Sequence, residues 1–503
     1  MKSSSTFNRV YHVPAIARAA VVLFGGCFAP MLVEAAEGIA PNSEIDVTVA
    51  PMTITRERPG ITGAGWVSPI RTKADKDYPR IRLLYPNHSD DWGKSHGTGS
   101  SISLDGGRTW TSEPDNTPLP AMIDQWAQQL SDSSVIVLGI RSLPDPKTRA
   151  APPQPPGAGS AWVVGHSIDH GTSWKVADCS IDCPAELGVI ARPLPPILED
   201  TDKALYMPAY AWSASGHRAL LLTSRDRGNH WTVKSTITDT TAVRAAGVAV
   251  TTPWLETTIA RTADGGWLAV MRTGSNFRST LIQVRSEDGI SWQAPAPLLS
   301  GSEQKPVAGK LPSLLQLSNG LLVLLTAHSN NHCRVYYSRD GGGRQWSEGY
   351  VVTSQTGGNT CMAAVGVDQL AVVTPANGRL YGWPVTLRAR SQSPQSTIAA
   401  PTNVAVVDGP KVRLAWTAPA AAENVVRYRI TPQLIAASNP ETEPCRYATI
   451  ETNDGATHFD FGRVLSIGGR YRFTVVAVDR EGRESVPAEC QETTIGVTPA
   501  KAN

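Results

Sequence analysis

The chain has 503 residues, enough for two or more domains, and 46 lysines and arginines against 44 aspartates and glutamates leave a net charge of +2. This balance offers neither the basic stripe of a nucleic-acid binder nor an acidic tail, so small molecules or glycans are the expected partners. With 43 glycines, 38 prolines and only 18% charged residues, the composition favours many short strands and turns over long helices.

At the N-terminus, Lys2, Arg9 and Arg18 accompany an apolar stretch over 19–32 that runs into the small residues Ala35 and Ala36. Residues 1–36 therefore predict an export signal and a secreted or periplasmic protein. Gly25, Gly26 and Pro30 interrupt the apolar run, which is too short for a membrane span. Removing it leaves six cysteines, an even number that suits an oxidising compartment. Cys179 with Cys183 and Cys445 with Cys490 are the expected disulfides, with Cys333 and Cys361 a third pair or free thiols. No C-x-x-C and no paired histidines accompany them, so neither a metal nor a cofactor is expected.

From about residue 68 onward one unit recurs: an apolar strand, a turn of the Asp-Gly or Asn-Gly kind, and a second apolar strand. The clearest copies lie at 258–271, around Asp264-Gly265, and at 313–325, around Asn319-Gly320. Fainter copies occupy 68–85, 129–140, 197–210 and 362–373. After each of the first five comes a short motif, beginning with Ser103-x-Asp105-x-Gly107-x-Thr109-Trp110. Its aspartates are Asp105, Asp169, Asp226, Asp288 and Asp340. Repetition at this period marks a repeat architecture. Ser and Asp bond nearby amides, Gly supplies a positive φ, and Trp anchors the turn, so the motif is structural.

This turn resembles the Asp-box, or BNR repeat, of sialidase-like β-propellers. Six units imply an all-β, six-bladed propeller over 45–387, with seven blades the alternative. The last blade finds only three strands in 362–387, so 45–52 is expected to return and close the ring. Closure removes open sheet edges.

If the two hairpin turns of each antiparallel blade share one face, the opposite face collects Val67, Asp90, Asp91, His96, Asp124, Arg141, Tyr210, Glu256, Arg272, His328, Arg334 and Asn359. Arginines, carboxylates, a tyrosine and histidines suit a polyol that bears an anionic group. The resemblance implies that Glu256 assists a nucleophilic tyrosine while Arg272 and Arg334 grip a substrate carboxylate. Arg141, Tyr210 and His96 are further candidates for substrate binding. Asp90 or Asp91 is the candidate general acid. Two positions depart from the family pattern: Val67 stands at the first arginine and Asn359 at the tyrosine. The expected activity is removal of a terminal acidic sugar from glycans, as in exo-α-sialidases. The alternatives are a non-catalytic glycan-binding propeller, or a polysaccharide lyase with His96 or His328 as base.

Residues 388–400 read as a linker rich in serine. Beyond it, 401–496 resembles a fibronectin type III sandwich, with Trp416 as core tryptophan and Tyr471 at the tyrosine corner. It is expected to fold alone and to serve as a spacer or as a contact to a cell surface or polysaccharide.

Overall fold

The computed structural model describes residues 43–496 except 58–67, 75–78, 87–97, 114–123, 143–160, 214–215, 252–254, 275, 329–331, 355–358, 377–378, 391–397, 408–411, 421, 438–444, 453 and 463. The expected export signal lies outside the described residues. The fold is an all-β propeller followed by a sandwich of strands.

Six antiparallel groups follow one another along the chain. Group one is Ser68–Ala74, Pro79–Pro86, Thr98–Ser103 and Thr111–Ser112, each strand paired with the next. Group two is Asp124–Gln129, Val135–Ser142, Ala161–Ser167 and Lys175–Asp182. Group three contains Val189–Pro193, Leu205–Ser213, Gly216–Ser224 and His230–Asp239, with the short Leu198–Glu199 beside its second strand. Thr257–Arg261, Trp267–Met271, Ile282–Ser286 and Ala296–Pro297 form group four. Lys310–Gln316, Leu322–His328, His332–Ser338 and Tyr350–Thr353 form group five.

Group six takes Cys361–Ala364, Gln369–Ala376 and Arg379–Ala389 from the end of this region, and its outer strand from the beginning of the chain. Ile45–Val49 pairs with Arg379–Ala389 from Ile45↔Ala389 to Val49↔Val385, as the sequence predicts. That strand runs two residues into the segment read as a linker.

The inner strands carry apolar residues on both faces because neighbouring groups cover both. Val135 to Leu138, Leu268 to Met271 and Leu322 to Leu325 are all fully buried. Inner strands touch between groups one and two, four and five, and five and six, the inner strand of group four touches Leu205–Ser213 of group three, and Cys361–Ala364 returns to Ser68–Ala74. Gln128, Gln129, Ser131, Ser313 and Thr360 help line a channel of about 320 Å³ between them.

Each Asp-box turn has the bonding its sequence predicts. In the first, Ser103 Oγ accepts the Gly107 amide at 2.7 Å, and Asp105 Oδ1 accepts the amides of Arg108 at 2.9 Å and Thr109 at 2.8 Å. Trp110 Nε1 donates to the Gly107 carbonyl at 3.0 Å. Burial alone would raise the Asp169 carboxyl of the second turn, but the hydroxyl and amide of Ser173 and the hydroxyl of Ser167 outweigh it and hold it at about 2.

Every one of these turns docks on the group before it. Thr53, in the short strand Thr53–Glu57 that also pairs with Arg379–Ala389 of group six, donates to the Gly107 carbonyl, and Arg82 of group one reaches Thr172. Arg227 binds Asp132 and Ser134 of group two. Ser235 of group three donates to Gly289 O and accepts from Trp292 Nε1, and Arg344 pairs with Asp264 of group four. Between groups five and six, Asn319 instead donates to the carbonyls of Leu387 and Val367.

The C-terminal strands make two sheets. One holds Thr402–Val407, Arg413–Thr417 and His458–Asp460. The other is built on Val425–Ala436 and Arg470–Asp479. Trp416 packs edge-on to Tyr428 at 4.9 Å, and the Tyr471 hydroxyl accepts the Ser466 amide at 2.8 Å.

This unit is joined to the propeller. Cys445–Tyr447 lies parallel to Tyr350–Thr353, and Thr449–Glu451 lies parallel to Ile45–Val49. One continuous apolar core runs from Val47, Val351 and Trp383 to Tyr428, Ile450 and Phe473. Arg429 adds ion pairs to Asp46, Glu451 and Glu484.

The expected disulfides are absent: Cys179, Cys183, Cys333, Cys361, Cys445 and Cys490 are all free thiols. Cys179 lies in an extended strand that ends just before Cys183. Four extended residues span roughly 13 Å, while a disulfide needs its Cα atoms within about 7 Å. Cys445 and Cys490 lie on opposite sides of the paired strands Val425–Ala436 and Arg470–Asp479. Three strand spacings put them about 14 Å apart.

Candidate functional site

The hairpin of group four positions the central pair. Its turn is closed by Gly265 at φ 84°, a left-handed conformation glycine adopts without strain, and by Thr262 Oγ1 donating to Asp264 Oδ1 at 2.5 Å. From this turn the ladder runs Arg261↔Trp267 to Thr257↔Met271, so the next residues out are Glu256 and Arg272. Arg272 donates its amide to the Glu256 carbonyl at 3.2 Å and Nη2 to Glu256 Oε1 at 2.8 Å. Both side chains are buried, at 8% exposure. The Asp-box turn of group four follows Ile282–Ser286, at the other end of these strands. Glu256 therefore faces away from that turn, as strand order predicts.

Lys310 joins them from the start of the neighbouring inner strand. Burial lowers the pKa of its ammonium, as does the charge of Arg272, while Glu256 opposes both. The two inner strands are tied together by the Leu314 amide donating to Thr258 Oγ1 at 3.1 Å. Sequence reasoning missed Lys310 because an isolated lysine in Gly309-Lys310-Leu311 has the look of an ordinary solvated residue. It also missed Arg192, buried on the first strand of group three, because Pro193, Pro195 and Pro196 obscure the strand. In both cases the signal was position: each is a cation on the first strand of its group.

Arg334 goes elsewhere. It is buried at the join with the sandwich, where Cys445, Tyr336 and Tyr447 surround its guanidinium. The expected meeting of Arg272 and Arg334 is replaced by that of Arg272 and Lys310. Strand order gives the end of a strand at which a residue lies, and the pleat decides the face. Tyr210 lies three residues short of the end of Leu205–Ser213, within the apolar cluster of Trp126, Leu138 and Trp231. Asn359 is half-buried just before Cys361–Ala364, and His328 ends its strand opposite His332. Arg141 belongs to Val135–Ser142, but its side chain, like that of Asp124, lies outside the described residues. So do Val67, Asp90, Asp91 and His96. Among the described residues no group of metal-ligating side chains gathers, and no helix is long and apolar enough to cross a membrane.

His332, fully buried beside Arg334, donates or accepts at Ser466 Oγ across 3.0 Å. Burial first, then the charges of Arg334 and His328, lower its pKa to about 3. The unfolded chain binds this proton near 6.5, so the stability contributed by neutral His332 is full above that pH and is lost toward 3. Thermal melts of wild type and His332→Gln should therefore differ most near pH 7 and converge toward pH 4. A gap that stays constant with pH would show that His332 titrates as it does in the unfolded chain.

Residues 133–387 match the family of BNR repeat-like domains. No curated protein matches the chain. Among solved structures, a Dyadobacter fermentans protein of unknown function is 16% identical with TM-score 0.49, over 68% of this chain and 99% of that one. An alpha-L-arabinanase of Penicillium chrysogenum, solved with arabinobiose, is 13% identical with TM-score 0.45, over 69% of this chain and 98% of that one. A Trypanosoma rangeli sialidase, solved with the inhibitor DANA, is 10% identical with TM-score 0.40, over 92% of each.

Proposed function

We propose, from the premise that this chain belongs to the BNR repeat-like domain family, that it is an exported glycoside hydrolase that removes a terminal acidic sugar from glycans. The fold is that of a BNR-repeat glycoside hydrolase-like propeller. In this reading the six groups are six blades about one axis, with the site at the end away from the Asp-boxes. The observation that carries it is the buried Glu256–Arg272 pair.

The guanidinium of Arg272, held in place by Glu256, is a planar fork of the kind that matches a substrate carboxylate. Glu256 accepts the proton of the water that attacks the anomeric carbon, and Asp90 or Asp91 gives a proton to the leaving oxygen, so one C–O bond forms as the glycosidic one breaks. Arg141 and His96 complete the sugar contacts. The C-terminal unit is a fibronectin type III domain that holds the enzyme near its glycan.

A second reading, a binding propeller without turnover, is favoured by Val67 and Asn359 and by the packing of Tyr210 in an apolar cluster. Glu256→Gln separates the two. Assayed on aryl glycosides of several sugar acids, the variant should lose about 100-fold or more in kcat while still binding the free sugar acid. Turnover equal to wild type would remove Glu256 from the chemistry, and binding without turnover in wild type would favour the second reading.

A further inference from the structure

We propose that Lys310 is a specificity-determining residue that selects a sugar carrying a carboxylate, by supplying the unneutralised positive charge beside Glu256 and Arg272. This inference rests on the functional reading of that site. Glu256 and Arg272 cancel each other's charge across 2.8 Å. Lys310, on the adjoining strand, adds one more cation, so the cluster of three carries a net positive charge.

The position of Lys310 is fixed from behind. Its carbonyl accepts Thr326 Oγ1 at 2.9 Å. The preceding residue is Gly309, where a Cβ would stand 2.2 Å from Thr326 Oγ1 and 2.9 Å from the Ala327 carbonyl, so only glycine allows this approach. From there the side chain extends over Phe277, with Nζ 4.4 Å from the ring centroid. A ring face holds an ammonium in place without neutralising it. Among the described residues no carboxylate lies within ion-pair distance of Nζ. The ammonium is half-buried and repelled by Arg272. Bringing in an anion relieves both costs, and a neutral sugar relieves neither. An ammonium presents a point charge rather than a fork, so it reads the charge of the substituent while Arg272 reads its shape.

The test compares wild type with Lys310→Met, Lys310→Arg and Phe277→Leu. The substrates are 4-nitrophenyl β-D-glucuronide, 4-methylumbelliferyl N-acetyl-α-neuraminide and the neutral 4-nitrophenyl α-L-arabinofuranoside. In Lys310→Met the acidic-to-neutral ratio of kcat/KM should fall about 10- to 100-fold, the range of one charge-assisted contact. Lys310→Arg should recover most of it, and Phe277→Leu should lose part. An unchanged ratio in Lys310→Met overturns the proposal. Should wild type cleave none of the three, hydrolysis fails as a reading while Lys310 is still decided by calorimetry with glucuronate, N-acetylneuraminate and arabinose. Binding of either acid that weakens at least tenfold in Lys310→Met supports the inference. Equal binding in both proteins, or none, overturns it.

Discussion

A chain ending at Arg390 should aggregate on expression, or melt far below the full-length protein. The cut strips the partners from two strands at once: Val351 loses Tyr447, and Val49 loses Ile450. Ile45, Val47, Val49, Val351 and Val352 all belong to the shared core and are at most 3% exposed. Each fully buried aliphatic side chain contributes roughly 1.5–3 kcal/mol, so uncovering even three approaches the 5–15 kcal/mol by which a whole domain is stable. The bared strands are also unprotected edges, which pair with other chains. Size-exclusion chromatography and a thermal melt decide it. A monodisperse fragment with an unaltered melting temperature would show that the apolar contact across the join contributes little.

Arg272→Ala should destabilise the protein as well as weaken sugar binding. Removing one partner of a buried ion pair costs about 3–5 kcal/mol, because the other charge remains in a poor solvent. Glu256 is the charge left behind, with Lys310 a cation that still acts on it, so the lower part of that range applies. The double variant Arg272→Met with Glu256→Gln removes both charges and should recover much of the loss. Chemical denaturation of the three proteins checks this. A double variant less stable than Arg272→Ala alone would place the cost in lost packing instead of an orphaned carboxylate.

Much of this architecture could be read from the sequence because it is written in local signals. Asp-Gly and Asn-Gly turns fix hairpins, hairpins fix register, and register alone carries Glu256 and Arg272 to the same end of their strands. The return of Ile45–Val49 followed from counting strands in the last group. Arg334 was misplaced because counting gives the end of a strand and not its face. Tyr210 was misplaced because the register shifts between Ile190 and Arg192 and the strand runs on to Ser213. The join to the sandwich was invisible for another reason. Parallel pairs between strands about a hundred or more residues apart leave no turn in the sequence to announce them.

The docking of each Asp-box on the group before it has a consequence for the order of events during synthesis. As the chain leaves the ribosome, each of groups two to five meets a finished neighbour and latches to it by its own turn. Growth is therefore directional, and four of the six seams can form in the order of translation. The last two seams both wait for group six: the turn of group one docks there through Thr53, and between groups five and six the joining strands come from 445–451, with Asn319 the local contact. The outer strand of group six has meanwhile waited unpaired since the first fifty residues were made. Until residue 389 appears, Ile45–Val49 has no partner. Its cover from Thr449–Glu451 comes later still. For most of its synthesis the nascent protein is thus an open arc with an apolar strand exposed at its leading end, the segment a holding chaperone would be expected to grip.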